Sequence, residues 1–288
     1  MPLHPGAQGL RDDTGRLGRT IITTDTIVEG VHFRSNDLPA DVAWKLLAVN
    51  LSDLAAKGAV PIAVLLNYTM TGDSHWDRAF LGGLGHALRQ FGVQLLGGDT
   101  VALPAPAPRV LTLTAIGEAD IAPLRSGARE GDALYVTGMI GDGGAGLAVA
   151  RAGVGSAALL AAYLRPVPRL REGQALAPLV NAMMDVSDGL LIDASRMALA
   201  SGLAVRIALD AIPLSPAYRA ACGADRAARL QAATAGDDYQ LLFAAPPDLA
   251  LPVPATCIGS FSRGDGLSLT DGVDAIPLPA RLGFEHAG

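Results

Sequence analysis

The stretch Ile21-Ile22-Thr23-Thr24-Asp25 constrains this chain more than any other, because a β-branched run that reads as a buried strand meets two hydroxyls and a carboxylate. An unpaired carboxylate in an interior costs several kcal/mol even after relaxation, comparable to the stability of a whole small domain. A cation or a set of donors must therefore sit beside Asp25. The same junction recurs. Val93-Gln94-Leu95-Leu96 runs into Gly97-Gly98-Asp99-Thr100, Ala182-Met183-Met184 into Asp185-Val186-Ser187-Asp188-Gly189, and Gly236-Asp237-Asp238 turns into a further strand.

Composition removes several function classes. The chain has 288 residues, 50% of them apolar, which is enough for two domains of ordinary size. Charged residues make up 17% and the net charge is -6, so no basic surface for a nucleic-acid partner is available. Only Lys45 and Lys57 of the 22 basic residues are lysines, so a phosphate site here cannot lean on many lysines. Cys222 and Cys257 form no CxxC, and no histidine cluster has metal-ligand spacing. No apolar run approaches the roughly 18 residues of a membrane span, and the N-terminus lacks a secretory pattern. A cytoplasmic protein with no membrane partner is expected.

The pattern along the chain predicts alternating strands and helices. Pro39-Ala40-Asp41 opens a helix, since proline fits the first turn and aspartate the positive end of the dipole. Ala43, Leu47, Leu51 and Leu54 form its apolar stripe, and Gly58 ends it. The neighbouring stripe Leu46, Asn50, Asp53 and Lys57 is half polar, which fits either an Asp53 to Lys57 pair on a wet face or a site. Residues 60–70 read as a strand buried on both faces. Ser74 is the expected cap of a helix carrying Trp76, Phe80, Leu84 and Leu88 on one face, with Gly92 as its left-handed stop.

Residues 110–116 form another strand, and the turn Arg129-Glu130-Gly131-Asp132 marks the boundary between domains 1–128 and 129–288. Gly141, Gly143 and Gly146 satisfy GxGxxG between a strand and a helix. No acidic strand end follows about 20 residues on, so the glycines serve packing and a tight turn rather than a dinucleotide. Further helices are expected over 168–181 and 189–200; Ser187 or Asp188 caps the second or ligates a cation.

Asp13, Asp25, Asp53, Asp99, Asp185 and Asp188 each lie within two residues of glycine, serine or threonine. Such oxygen donors suit hard cations, whereas softer metals want histidine or cysteine. Magnesium keeps waters and bridges carboxylates to substrate phosphates, so many aspartates with few lysines point to a nucleoside triphosphate delivered as its metal complex. There is no GxxxxGK[ST] and no kinase-type glycine loop followed by a strand lysine.

These residues carry a resemblance. Thr23-Thr24-Asp25-Thr26-x-Val28-x-Gly30-x-His32-Phe33, Asn50-Leu51-Ser52-Asp53-Leu54-Ala55-Ala56-x-Gly58-Ala59, Gly97-Gly98-Asp99-Thr100, Asp185-x-Ser187-Asp188-Gly189-Leu190 and Gly236-x-Asp238-Tyr239-x-Leu241 resemble, in this order, the thiamine-monophosphate kinase family. That family sits within the group built like aminoimidazole ribonucleotide synthetase. The likeness runs from about residue 9 onward. It implies a two-domain α/β (α+β) fold, with an N-terminal domain that binds ATP and magnesium and completes its sheet across a homodimer.

The implied reaction makes thiamine diphosphate and ADP from ATP and thiamine monophosphate by direct in-line transfer, the last step in building thiamine diphosphate. No general base is expected, because the attacking phosphate oxygen is already an anion. By position, Asp13, Thr23, Thr24, Asp25, Asp53, Asp99, Asp185 and Asp188 match metal positions for several Mg2+ ions. Gly98, Asp99, Arg125 and Ser187 match nucleotide contacts, and His32 and Asp237 match substrate contacts. Whether Asp12 or Asp13 ligates stays open. Arg11 stands where the family has glycine, Asp237 where it has glutamate, and Arg281-Leu282-Gly283-Phe284 where it often has tryptophan; the segment before Asp12 is shorter than usual. Rival readings are a non-catalytic nucleotide-binding or regulatory homologue and another ATP-dependent enzyme of the group.

Overall fold

A computed structural model describes residues 3–104 and 106–285. The N-terminal half builds a five-stranded sheet from β1 (Gly15–Leu17), β2 (Thr20–Val28), β3 (Val60–Met70), β4 (Gln94–Ala102) and β5 (Val110–Glu118). Their order is β1-β2-β5-β3-β4, antiparallel except for β3 with β4. Two helices, α1 (Pro39–Ala56) and α2 (Ser74–Phe91), cover one face. On β5, Leu111, Leu113 and Ala115 are fully buried while Thr112 and Thr114 turn outward, the alternation of a sheet with a single covered face.

The C-terminal half carries a seven-stranded mixed sheet. After β6 (Ala133–Thr137) come α3 (Asp142–Ala152), α4 (Ala157–Leu164), α5 (Leu170–Leu176), β7 (Ala182–Asp185), α6 (Leu190–Ser201), β8 (Ala204–Ala208), α7 (Pro216–Cys222) and α8 (Arg226–Ala235). The strands β9 (Leu241–Ala245), β10 (Ala255–Ser262), β11 (Gly266–Asp271) and β12 (Asp274–Ile276) complete it in the order β12-β11-β8-β10-β6-β9-β7. One of its faces packs α6 and α8 into the largest core of the molecule; the other meets α5 and the end of α1 through Ala55 and Ala56. Helix α1 is thus wedged between the two sheets, against β2 and β5 on one side and α5 and β7 on the other. That wedge positions the site.

Several expectations change in the folded chain. Residues 60–70 do form one strand, but Val60 and Ile62 stay exposed, and β4 beside them is exposed along its whole length. Among the described residues no helix packs on the second face of that sheet. The cap of α2 is Asp73, whose carboxylate accepts from the N–H groups of His75 and Trp76, one residue before the serine expected to do so. The helix expected over 168–181 shrinks to α5, which lies so close to α1 that a Cβ on Gly173 would stand 2.0 Å from the Ala55 carbonyl oxygen. Ahead of β1 the chain forms a 3-10 turn, Pro5–Leu10.

Among the described residues no single helix is long and apolar enough to cross a membrane; α3 and α4 pass that test only jointly, bent by 106°.

Candidate phosphoryl-transfer site

Asp25 lies in the middle of β2 rather than at its end: the strand continues to Val28, with Asp25 opposite Leu113. Strand periodicity does the sorting. Ile21, Thr23, Asp25 and Ile27 share the face toward α1, while Thr24 and Thr26 point to the opposite face, where Thr24 Oγ1 meets the Leu113 carbonyl at 3.3 Å and the Thr114 hydroxyl at 3.1 Å. The sequence-predicted ligand Thr24 therefore keeps its hydroxyl away from the acids.

Helix α1 brings up its polar residues from below. Asn50, fully buried, donates to the Leu46 carbonyl at 2.9 Å and accepts from the Asp25 N–H at 3.1 Å, which locks the strand to the helix. Thr23 donates to Asp53, and Ser52 donates to Asp185 at 2.5 Å. Asp185 ends β7 and is 3% exposed. Asp13, Asp53 and Asp185 each offer a carboxylate oxygen within 4.8 Å of the others. Three acids this close, with only hydroxyls beside two of them, fit a hard cation held by oxygen.

The electrostatics agree. Burial pushes the Asp25 carboxyl up to about 6, with repulsion from Asp13 and Asp188 adding to it. Burial also drives Asp53 and Asp185 well above the usual carboxylate range, and neighbouring acids reinforce both shifts. Asp13 goes the other way: burial opposes its charge, but Lys57 and Arg125 outweigh burial and hold it low. Lys57 does not pair with Asp53 on a wet face. It is 1% exposed, donates to Asp12 and to the Met183 carbonyl at 3.2 Å, and forms an ion pair with Asp13 at 3.0 Å. Arg125 pairs with Asp13, and its buried Nε has no hydrogen-bond partner.

These acids open into a cleft of about 430 Å³. Asp25, Asp53, Asp185, Ser187 and Asp188 line it together with His32, Lys45, Asp237 and Phe284. His32 Nδ1 accepts from the Val28 N–H at 3.0 Å. Lys45 bonds Asp237 at 2.7 Å and the His32 carbonyl at 3.1 Å, and the Tyr239 hydroxyl donates to Asp237 at 3.0 Å. Asp237 and Tyr239 both have positive φ, 60° and 50°, a backbone that costs energy for non-glycine residues and is found where a site fixes geometry. Lys45 and Tyr239 escaped the sequence reading, although Lys45 is one of two lysines on a helix already suspected of carrying a site.

The turn at 187–189 explains why Asp188 is not a cap. The carboxylate of Asp193, one turn into α6, accepts from the N–H groups of Ser187, Asp188 and Gly189 at 3.1, 3.1 and 3.3 Å, and Asp188 instead pairs with Arg196. The glycine motif is equally occupied: the Asp238 carboxylate takes the N–H groups of Gly141 and Gly143 at 2.8 and 3.2 Å, leaving no room for a phosphate at the start of α3. Gly98 and Asp99 do not join the cleft. They sit in the exposed edge strand β4, where Asp99 accepts from the Thr100 N–H at 2.8 Å.

Comparison with known proteins agrees with this geometry. The family model for AIR synthase related protein, N-terminal domain, matches residues 11–119, and that for the C-terminal domain matches 129–259. The thiamine-monophosphate kinase of Salmonella typhimurium is 42% identical over 96% of this chain and 91% of its own length. The structure of AaThiL complexed with AMPPCP and TMP is similar with a TM-score of 0.84 at 30% identity, covering 91% of this chain and 90% of that one. The thiamine-monophosphate kinase from Stenotrophomonas maltophilia K279a gives a TM-score of 0.80 at 34% identity, covering 91% and 93%.

Proposed function

This chain belongs to the thiamine-monophosphate kinase family, and on that premise we propose that it transfers the terminal phosphoryl group of ATP to thiamine monophosphate, giving thiamine diphosphate and ADP. The observation that carries the reading is the convergence of Asp25, Asp53 and Asp185 on the cleft that also holds His32, Lys45 and Asp237. The complex of AaThiL with AMPPCP and TMP supports the same pair of substrates.

The chemistry asks little covalent work of the protein. The acceptor phosphate oxygen is anionic at neutral pH, so the chain's task is to bring two polyanions into line and to keep water out. Bound Mg2+ would supply neutralisation of the phosphate charge. Asp25, Asp53 and Asp185 form the core of the metal site in this proposal, with Thr23 and Ser52 orienting the last two and Asp188 at the rim. Asp13 stands behind them on Lys57 and Arg125. The unpartnered Nε of Arg125 and the hydroxyl of Ser187 supply nucleotide contacts. His32 and Asp237, the latter steadied by Lys45 and Tyr239, face the accepting substrate.

We further propose a cytoplasmic homodimer with its domain boundary between residues 128 and 129. Val60, Ile62, Leu96 and Val101 are exposed apolar residues on β3 and β4 at the open side of the N-terminal sheet, and Leu96 is 68% exposed. A second subunit on that face would cover it and would bring a nucleotide near Gly98 and Asp99. Sedimentation of Leu96→Asp as a monomer, against a dimer for the parent, tests this.

Purified protein with ATP, Mg2+ and thiamine monophosphate should form thiamine diphosphate and ADP in equal amounts. Folded protein that binds an ATP analogue but neither binds thiamine monophosphate nor turns it over would sink the kinase reading and favour a nucleotide-binding regulator.

A further inference from the structure

The segment between β2 and α1 carries His32, and its anchors change halfway along. As far as Phe33 they lie in the N-terminal half: the His32 N–H donates to the Val28 carbonyl at 2.9 Å, the Gly30 N–H to the Phe33 carbonyl at 2.8 Å, and Phe33 is buried in the core that α1 and α2 share. Beyond Phe33 the ties run to the C-terminal half. The Arg34 guanidinium donates to the Ala150 carbonyl in the last turn of α3, where helix carbonyls run out of partners within the helix. The Tyr163 hydroxyl of α4 donates to the Asp37 carboxylate at 2.8 Å, and both residues are buried.

Asp37 stands just ahead of α1 and gives that helix no cap; Leu38 holds the N-cap position without a side-chain bond. Its carboxylate takes the Arg34 N–H at 2.8 Å and the Tyr163 hydroxyl instead. Lys45 closes the circuit. Its ammonium lies 4.3 Å from the centre of the Tyr163 ring, 3.1 Å from the His32 carbonyl and 2.7 Å from Asp237. His32 from one half and Asp237 from the other are thus set against one lysine, and the tyrosine that holds Asp37 packs on that same lysine. Arg34, Asp37 and Tyr163 do not line the cleft, so any effect they have on a substrate passes through the loop.

We infer that Tyr163, with Asp37 and Arg34, straps the 29–37 loop to α3 and α4 and thereby positions His32 for the accepting substrate. Asp25, Asp53 and Asp185 bond to Asn50, Thr23 and Ser52 rather than to the strap, so loosening it should weaken acceptor binding and spare the nucleotide. The substrate role rests on the kinase reading given above; the strap itself does not.

Hydrogen–deuterium exchange and steady-state kinetics of Tyr163→Phe test the two parts separately. The variant keeps a ring under Lys45 and removes only the hydroxyl. Main-chain exchange in 29–37 should quicken about 10-fold, with β2 and β7 unchanged. KM for thiamine monophosphate should rise about 5-fold while kcat and KM for ATP stay within about 2-fold of the parent. Adding Tyr163→Phe to Asp37→Ala should raise KM no further, because both remove one bond. Arg34→Met cuts the second anchor and should give the same split, an arm that works even if Tyr163→Phe does not fold. Unaltered exchange in 29–37 would overturn the strap, and fully additive effects in the double variant would overturn the pairing of Tyr163 with Asp37. Faster exchange with an unchanged KM for thiamine monophosphate, or with equal rises in both KM values, would reduce Tyr163 to a structural residue. A parent that neither binds nor phosphorylates thiamine monophosphate sinks the kinase reading and the substrate role with it, while exchange still decides the strap.

Discussion

Asp193 and Asp238 are buried carboxylates, and so is Asp185, yet the molecule treats them in opposite ways. Asp193 accepts three main-chain N–H groups and Asp238 accepts two, so each stitches a turn to a helix start. Asp185, with Asp53 and Asp25 beside it, meets one side-chain or main-chain partner at most and faces other acids across the cleft. A buried acid surrounded by fixed donors holds a fold together. A buried acid surrounded by acids stores an unfavourable charge that only a ligand relieves. Residue type is the same in the two groups, and Asp185 is as buried as Asp193 and Asp238; the number of donors aimed at each is what differs.

Removing charge from the two groups should therefore separate activity from stability. Asp53→Asn is expected to lower kcat by about 10³-fold or more, while raising the melting temperature of the metal-free protein, because it deletes an unrelieved buried charge. A near-parental rate for Asp53→Asn at low Mg2+ would break the comparison at its functional end. Asp193→Ala should do the reverse and cost about 3 kcal/mol in chemical denaturation, since three N–H groups lose a charged acceptor. If it unfolds at the parental urea concentration, Asp193 is not a structural acid.

Smaller effects sharpen the contrast. Lys45→Met releases Asp237 without touching Asp25, Asp53 or Asp185, so KM for thiamine monophosphate should rise about 10-fold, near 1.4 kcal/mol, with KM for ATP nearly unchanged. Equal rises in both constants would remove Lys45 from the substrate side. The pH dependence of stability is the mildest signal. Asp25 titrates near 6, Asp193 near 7 and Asp238 near 8 in the folded chain, all raised first by burial. A raised carboxyl binds its proton more tightly when folded, so metal-free stability should fall as pH rises from about 4 to about 8. Mg2+ relieves only the cleft acids, so the melting temperature it adds should be larger at about pH 8 than at about pH 5.5; an equal gain at both would contradict the raised carboxyls at the cleft.

Much of this was legible along the chain because the relevant rules are local. The stripe of α1, the left-handed stop at Gly92 and the rejection of Gly141, Gly143 and Gly146 as a dinucleotide loop follow from periodicity and short-range turn chemistry. The errors cluster where a partner distant in sequence decides. Asp25 reads as a strand end because acids seldom sit mid-strand, but its strand is held on one side by β5, some 90 residues on, and its N–H region by Asn50. Residues 60–70 read as covered on both faces because every position is apolar or nearly so; which face gets a helix depends on where α1 and α2 fall. Asp99 sits beside the same glycines as expected, yet on an edge that the chain itself does not close.

The amino-acid sequence by itself determined which acids exist, which runs become strands and helices, and which family's ordered motifs the chain carries, since these depend on residue type and on spacing of a few positions. Only the tertiary structure decided what each acid meets. Asp53 and Lys57 are one helical turn apart and free to pair, but the packing of α1 against β7 buries Lys57 beside Asp12 and Asp13 and leaves Asp53 to Thr23 and its acidic neighbours. Electrostatic partnership in a buried site is set by desolvation and distance in three dimensions, and neither quantity is written in the order of residues.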